Sequence, residues 1–331
     1  MQQILAHLAS GVSSMADFLW GSWLLFLLMG VGIFYTVLTG FVQVRRLPVL
    51  LRGIRRQLGG KKKAGHAGFS SLQVLYTAIA SCVGSGNIVG VSTAILADGP
   101  GALFWMWVAA FFGMATKFGE IVLGISYRGT DAEGNITGGP MYYIAQAFHA
   151  PWLGAVAAVL LFTQNASATL IQSNTIATVI QHTFGIPVWL AGILVACLLV
   201  FVISGGFKRL VSTAEKLVPL MAGLYIAGGL VVILAHIGQV PAMFAEIFRA
   251  AFSLKAGVGA AAGITMREAM RYGVARGLYS NEAGEGSAAV LHAAVQVDHP
   301  VRQGLYGVVE VFVDTMVICS TTGFAVLITG V

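Results

Sequence analysis

The stretch that decides the fold reads Ala78-Ile-Ala-Ser-Cys-Val-Gly-Ser-Gly-Asn-Ile-Val-Gly-Val91. It lies within an apolar run, 72–96, that is long enough to cross a lipid bilayer. Its middle is rich in glycine, serine and asparagine, which propagate a helix poorly. A helix broken there leaves backbone N–H and C=O groups in hydrocarbon, where each unpaired group costs several kcal/mol. Secondary transporters place such breaks around a substrate and its coupling ion. We therefore expect a carrier that is organised around a broken helix.

The composition is that of a membrane protein. Of the 331 residues, 57% are hydrophobic and 10% are charged, whereas globular proteins carry about 25% charged residues. The mean hydropathy is +0.83. The apolar runs exceed 18 residues, which favours spanning helices over the short alternating strands of a barrel. We predict an all-α polytopic protein in a lipid bilayer.

The positive charge is concentrated in one loop. The net charge is +6, and eight of the 19 basic residues lie between Arg45 and Lys63. Loops with this bias stay cytoplasmic, so we expect the N-terminus outside and no nucleic-acid partner. The three cysteines, Cys82, Cys197 and Cys319, lie in apolar runs and are expected to be buried free thiols.

The hydropathy pattern predicts eight spans in a single transmembrane domain, 1–331. The predicted spans are 18–42, 72–96, 102–126, 151–183, 186–204, 213–235, 241–272 and 305–331. The seventh is interrupted by a stretch rich in glycine and alanine, 253–263, and the arginines after it are expected on the cytoplasmic side. Two interrupted spans five spans apart are typical of an inverted repeat. We therefore divide the chain into an extra N-terminal helix (18–42), a first five-helix repeat (72–235) and a partial second repeat (241–331).

Four runs carry a resemblance to a known family. They are Gly84-Ser-Gly-Asn-Ile-Val-Gly90, Pro100-Gly-Ala-Leu-Phe-Trp-Met-Trp107, Gly138-Gly-Pro-Met-Tyr-Tyr-Ile144 and Gly277-Leu-Tyr-Ser-Asn-Glu-Ala-Gly-Glu-Gly-Ser287. In this order they resemble the alanine or glycine:cation symporter family, within the amino acid–polyamine–cation superfamily. The run from Ser81 to Asn87 also resembles the G-x-G-N core of LeuT-type sodium symporters.

The resemblance implies a fold and an activity. It implies a LeuT-type inverted-repeat fold with one extra N-terminal helix, and sodium-coupled symport of alanine or glycine across the bacterial inner membrane. Family members are longer, so the chain is expected to be truncated after the seventh core helix. The family often has threonine at the position of Ser85 and an apolar residue at that of Glu285.

The break itself supplies most of the candidate site. The N–H groups of Gly84, Ser85 and Gly86, with the Ser81 hydroxyl nearby, are suited to a substrate carboxylate at a helix N-terminus. The free carbonyls of the preceding half-helix and the side chain of Asn87 are suited to a sodium ion. The resemblance implies that Ala80 and Val83 serve one ion site, and Cys82 with Asn87 another. The alternative is a glycine-rich kink that only allows tight helix packing.

Two residues outside the break are further substrate candidates. Gln172 lies deep in the span 151–183, where its amide can bind either charged end of an amino acid. The alternative is an interhelical hydrogen bond, worth about 0.6 kcal/mol, and the resemblance favours substrate binding. Phe252 lies at the edge of the second interruption. There it either covers the small apolar side chain of the substrate or packs in the protein core.

Three of the charged residues inside apolar runs are considered for a role. Lys117 and Glu120 are three apart on one helical face, which predicts a structural ion pair. Asp314 is the one carboxylate without an evident partner, and such residues in a span are functional candidates by default. It either pairs with a basic residue or carries a proton.

The sequence therefore predicts a secondary active transporter with sodium as the coupling ion and no other cofactor. One alternative is an ion channel, which needs a continuous polar lining that the clustered polar residues do not provide. Another is a truncated homologue that does not transport. An enzyme is not expected, because the chain has no nucleophile–base or metal-binding constellation.

Overall fold

The structure is a computed structural model, and it describes residues 2–19, 21–59, 69–132, 134–252 and 266–330. Nearly all of these residues are helical. The helices of the first half are α1 (Gln2–Leu19), α2 (Ser22–Leu38), α3 (Val42–Arg45), α4 (Leu47–Gly59), α5 (Ser71–Cys82), α6 (Val91–Asp98), α7 (Gly101–Ser126), α8 (Pro140–Ala147) and α9 (Pro151–Phe184). Those of the second half are α10 (Val188–Ile203), α11 (Gly206–Ala235), α12 (Val240–Ala251), α13 (Met266–Asn281), α14 (Ser287–Ala293), α15 (Pro300–Val311) and α16 (Ser320–Thr329).

Short elements join these helices. A π-helix, Gly86–Gly90, leads into α6, and a second π-helix, Phe312–Cys319, joins α15 to α16. A hairpin of two strands, β1 (Gly129–Thr130) and β2 (Ile136–Thr137), lies between α7 and α8. Regular structure is thus also found before the first predicted span, 18–42, and between the predicted spans 102–126 and 151–183.

Several helices are long and apolar enough to cross a bilayer. In the described part of the chain they are α7, α9, α11 and the continuous unit Pro300–Thr329, and α5 with α6 makes a fifth span that is bent by 55° at its break. Helices Trp23–Leu38 and α10 are apolar but shorter. The predicted break in 72–96 is therefore confirmed, as is a multi-pass membrane protein.

Helix α7 is the centre of the bundle. In the most apolar 18-residue stretch of α7, 72% of the residues are buried. In the corresponding stretches of α9 and α11 only 6% are buried. Helix α7 packs against α2, α12, α13, α14 and α15. Met114 and Phe118 of α7, for example, form a core cluster with Leu305 and Val308 of α15. Helices α9 and α11 therefore form the outer wall, with most of their apolar surface available to lipid.

Helices α13 and α14 together run the length of α7. A Cβ on Gly273 would come within 2.5 Å of the Ala102 carbonyl oxygen at the start of α7, and a Cβ on Gly124, near its end, within 2.8 Å of Ala289. Small residues at these positions let the helices approach closely. Because α13 meets the first turn of α7 and α14 meets its last, the two helices are halves of one segment that runs alongside α7.

The interruption between these halves differs from the one expected. The predicted interruption, 253–263, lies outside the described residues. The helix break that the structure describes is at 282–286, where Gly284 and Gly286 have φ angles of 92° and 99° that glycine adopts readily. Between the predicted spans 241–272 and 305–331 the sequence predicts a long cytoplasmic connection, 281–303, and that prediction was wrong for this segment. Arg271 and Arg276 consequently lie beside the start of α7, the end predicted to be outside.

Candidate functional site

The two helix breaks face each other across a small cavity of about 40 Å³. This volume leaves room for about three water molecules. The lining residues come from α5, the first break, α9, α13 and the second break: Ser81, Cys82, Gly84, Ser85, Gly86, Gln164, Ala168, Gln172, Tyr279, Ser280, Glu282 and Glu285. The structure therefore brings Ser81, Cys82, Gly84, Ser85, Gly86 and Gln172, all predicted from the sequence, to one place.

Glycine at position 84 allows α9 to approach the first break. A Cβ on Gly84 would collide with the side-chain amide of Gln172. The Ser85 N–H donates to Gln172 Oε1 over 3.4 Å. Gln172 therefore contacts the backbone of the break directly, and its predicted role in substrate binding remains a prediction.

Asn87 closes the first break from within. Its Oδ1 accepts a hydrogen bond from the Gly84 N–H at 2.8 Å, so the prediction that this N–H is free for a ligand was wrong. Its Nδ2 donates to Asp314 Oδ1 at 2.5 Å and to Ser280 Oγ at 3.0 Å. Asn87 is fully buried. Asn87 thus connects the first break to α13, through Ser280, and to the π-helix Phe312–Cys319, through Asp314.

Asp314 is surrounded by donors. Besides Asn87, the hydroxyls of Ser280 and Thr315 each donate to its Oδ2 at 2.8 Å. The residue is 0% exposed, and within the described chain no basic side chain pairs with it. Asp314 was expected to lack a partner, but three side chains donate hydrogen bonds to it. The predicted alternative, a pairing with a basic residue, is not found in the described part of the chain.

Both residues of this contact lie in π-helices. Asn87 belongs to Gly86–Gly90 and Asp314 to Phe312–Cys319. A π-helical turn holds one more residue than an α-helical turn, and such turns occur frequently at functional sites. The two turns point Asn87 and Asp314 at each other.

Lys117 and Glu120 do not form the predicted ion pair. Lys117 Nζ lies 2.9 Å from Glu310 Oε1, and both side chains are buried. It also donates to the carbonyl oxygens of Asn281, at 3.0 Å, and Glu282, at 3.3 Å. These carbonyls end α13, where a helix dipole carries partial negative charge. Lys117 thus compensates both a carboxylate and the end of a half-helix.

Glu120 binds the other side of the same break. Its Oε2 accepts from the Gly284 N–H at 3.0 Å, and its Oε1 from the Ala289 N–H at 3.2 Å. These donors lie in the break and in the first turn of α14, where the dipole is positive. The carboxylate therefore caps the second half-helix.

Phe252 is not part of the cavity. It is 53% exposed, and its ring lies 5.0 Å from that of Phe104 and 6.1 Å from that of Trp105. It was placed at the site because the segment after it was taken for the second break, which the structure has at 282–286. Val83 packs with apolar residues of α5, and neither it nor Ala80 lines the cavity.

Half of the residues that line the cavity were not predicted from the sequence. Gln164, Ala168 and Gln172 follow each other at intervals of four, which places them on one face of α9. That spacing was visible in the sequence. Glu282 accepts hydrogen bonds from Ser81 Oγ at 3.4 Å and Ser287 Oγ at 2.7 Å. It lies in a run of polar residues and glycines that could have been read as a break.

Comparison with known proteins identifies the family. The sequence profile of the sodium:alanine symporter family matches residues 5–331. The chain belongs to this family. Family membership makes it a transporter rather than an enzyme, and it confirms the resemblance in the four runs quoted above.

Three relatives of this symporter illustrate the similarity. The chain is 42% identical to the uncharacterized transporter YflA of Bacillus subtilis (strain 168), with 97% of the chain and 68% of YflA aligned. It is 40% identical to the sodium/alanine symporter AgcS of Methanococcus maripaludis, over 96% of the chain and 70% of AgcS. It is 37% identical to the probable sodium/glutamine symporter GlnT of Bacillus subtilis, over 99% of the chain and 66% of GlnT.

Proposed function

We propose that this member of the sodium:alanine symporter family carries alanine or glycine into the cell together with sodium. The single observation behind the proposal is the polar cavity between two helix breaks that face each other. The cavity is small, which favours a small solute over one with a long side chain, and it would have to widen to admit an amino acid. AgcS, named a sodium/alanine symporter, supports the same substrate class.

The two walls of the cavity suit the two ends of an amino acid. The first break offers the N–H group of Gly86 and, once it releases Gln172 Oε1, that of Ser85, with the Gln172 amide beside them. Such backbone donors at a helix start bind carboxylates. Glu282, on the opposite wall, is an acceptor for the ammonium group. A small zwitterion would therefore bridge the breaks.

We place the sodium ion behind the substrate, around Asp314. A carboxylate that is fully buried without a basic partner is costly unless a cation compensates it. Ser280 supplies a further oxygen there. Asn87 faces Asp314 and Ser280 with its Nδ2, so its Oδ1, which accepts from the Gly84 N–H, would have to turn towards the ion. The carbonyls of Ala80, Cys82 and Val83 are the other candidates. The ion would then stabilise the same break that binds the substrate, and each ligand would raise the affinity for the other.

The proposal includes the expected architecture and location. A LeuT-type inverted repeat would move one half against the other around this cavity. The basic segment between α2 and α5 favours a cytoplasmic position for that connection, and hence an external N-terminus, in the bacterial inner membrane. Polar residues that cluster between two breaks favour a carrier over a channel, which needs a continuous polar path.

Uptake into proteoliposomes tests the function. The purified chain is reconstituted and given labelled alanine, with and without an inward sodium gradient. We expect accumulation only with the gradient, inhibited by unlabelled glycine. Sodium flux without any amino acid would instead support the channel. Failure of both alanine binding and uptake would contradict the proposal and favour a homologue that does not transport.

A further inference from the structure

Glu285 of the second break has a hydrogen-bonding partner on α9. Its Oε2 accepts from Gln164 Nε2 at 3.0 Å, and both residues line the cavity. The other polar atom of this amide, Gln164 Oε1, is buried and has no hydrogen-bond partner within the described chain. A buried polar atom without a partner is rare in a folded protein and calls for an explanation.

The protonation state of Glu285 determines whether this amide can be satisfied. An ionised carboxylate only accepts hydrogen bonds, so it can pair with the amide N–H but leaves the amide oxygen alone. A protonated carboxyl accepts through one oxygen and donates through the other. It can therefore form two parallel hydrogen bonds with one amide, N–H to carboxyl oxygen and O–H to amide oxygen.

The charges around Glu285 also favour its protonated form. Glu282 of the break and Glu120 of α7 are the negative charges that act on Glu285, and Lys117 is the positive one, whose charge is already paired with Glu310. The remaining titratable groups of the cavity wall are Cys82 and Tyr279, and α9 contributes amides and an alanine. Among the described lining residues there is no basic side chain to balance a second carboxylate beside Glu282.

We propose that Glu285 holds a proton in this arrangement, paired with Gln164, and that alanine binds to the protein in which this carboxyl is protonated. The proton comes from the aqueous phase and binds a Glu285 oxygen, whose O–H donates to Gln164 Oε1. Neutral Glu285 leaves one negative group, Glu282, for the single ammonium of the substrate. Ionised Glu285 would add a charge that repels the substrate carboxylate. The part of the proposal that concerns the substrate rests on the proposed function.

The coupling is tested by alanine binding to the purified full chain in sodium buffer. Calorimetric titrations in buffers of different ionisation enthalpy count the protons taken up with each alanine. We expect affinity to fall as the pH rises, with net proton uptake in that range. Glu285→Gln, which mimics the protonated carboxyl, should bind alanine with an affinity that does not depend on pH and without proton uptake.

A matched control uses Glu246, an exposed carboxylate on α12. Glu246→Gln should behave as the unchanged protein does. Proton uptake that is absent from the unchanged protein, or that persists in Glu285→Gln, would overturn the coupling while alanine binding itself upheld the proposed function.

A second measurement does not need a substrate. Infrared difference spectra between the unchanged protein and Glu285→Gln should show the C=O band of a protonated carboxyl at neutral pH. Gln164→Leu should shift this band, because its hydrogen-bond partner is lost. A difference spectrum with only carboxylate bands would refute the proton on Glu285, even if the protein failed to bind alanine.

Discussion

Lys117 and Glu120 lie three residues apart on α7 and bind opposite ends of one helix break. The ammonium contacts the carbonyls of Asn281 and Glu282 that end α13, and the carboxylate accepts N–H groups at the start of α14. Each charge has the sign that compensates the helix dipole it meets. The central helix therefore stabilises, with its own side chains, backbone groups that would otherwise lack partners in hydrocarbon.

Removing the ammonium should destabilise the protein strongly. Lys117→Met leaves Glu310 buried without its cation, and breaking a buried pair in this way costs about 3–5 kcal/mol. The double variant with Lys117→Met and Glu310→Gln should lose less unfolding free energy than the two single variants together, because no unpaired charge remains buried. Thermal unfolding of the purified variants measures these losses. Strictly additive losses would contradict the pairing.

The exposed pair of Arg302 and Asp298 provides the matched control for that experiment. Their side chains are 70% and 86% exposed, and Arg302 Nη1 lies 2.6 Å from Asp298 Oδ2. Exposed pairs contribute roughly 0–1 kcal/mol. Arg302→Met should therefore leave the unfolding temperature nearly unchanged.

Glu120→Ala should loosen the second break. The change removes the acceptor for two backbone N–H groups, and hydrogen bonds to charged groups contribute about 1.5–3 kcal/mol each. Hydrogen exchange at Gly284 and Ala289 should become faster, while exchange in the first break should stay slow. Unchanged protection at both amides would show that the carboxylate does not hold this break.

Gly84→Ala should greatly reduce alanine affinity. The added Cβ collides with the Gln172 amide, which must leave the cavity wall, and a displacement of about 1 Å in a site can cost a hundredfold. Gly90→Ala is the control, because a Cβ there meets nothing within 4 Å. Equal alanine affinities for the two variants, measured at saturating sodium, would disprove the tight contact.

Asp314→Asn should raise the sodium concentration that gives half-maximal uptake by about tenfold or more, which corresponds to about 1.4 kcal/mol. The amide keeps the shape of the side chain and removes its charge. The affinity for alanine, measured at saturating sodium, should change by a smaller factor than the sodium requirement. An unchanged sodium requirement would exclude Asp314 from the ion site.

The sequence was informative where a local pattern determines the structure. The first break follows from Gly84, Ser85 and Gly86, which interrupt an otherwise apolar run, and the structure has its non-helical residues there. Gln172 was found because an amide deep in a span is unusual. In both cases the deciding residues are neighbours in the chain.

Contacts between distant segments were not predictable in this way. Lys117 pairs with Glu310, which belongs to another helix, and no spacing along the chain indicates such a pair. The second break was misplaced because two glycine-rich stretches, 253–263 and 282–286, competed for it. The choice depends on packing against α7, since Glu120 stabilises the non-helical backbone at Gly284.

The π-helix Phe312–Cys319 sets the rotational phase of everything that follows it. Each residue of an α-helix turns the chain by about 100°, so deleting a single residue there would swing α16 around its axis by roughly that angle. Thr322, whose hydroxyl binds the Asn87 carbonyl oxygen at 2.7 Å and lies 2.6 Å from the Tyr225 hydroxyl, would then face a different neighbour. In this span a one-residue deletion should thus be more damaging than most substitutions, because it misdirects a whole face at once.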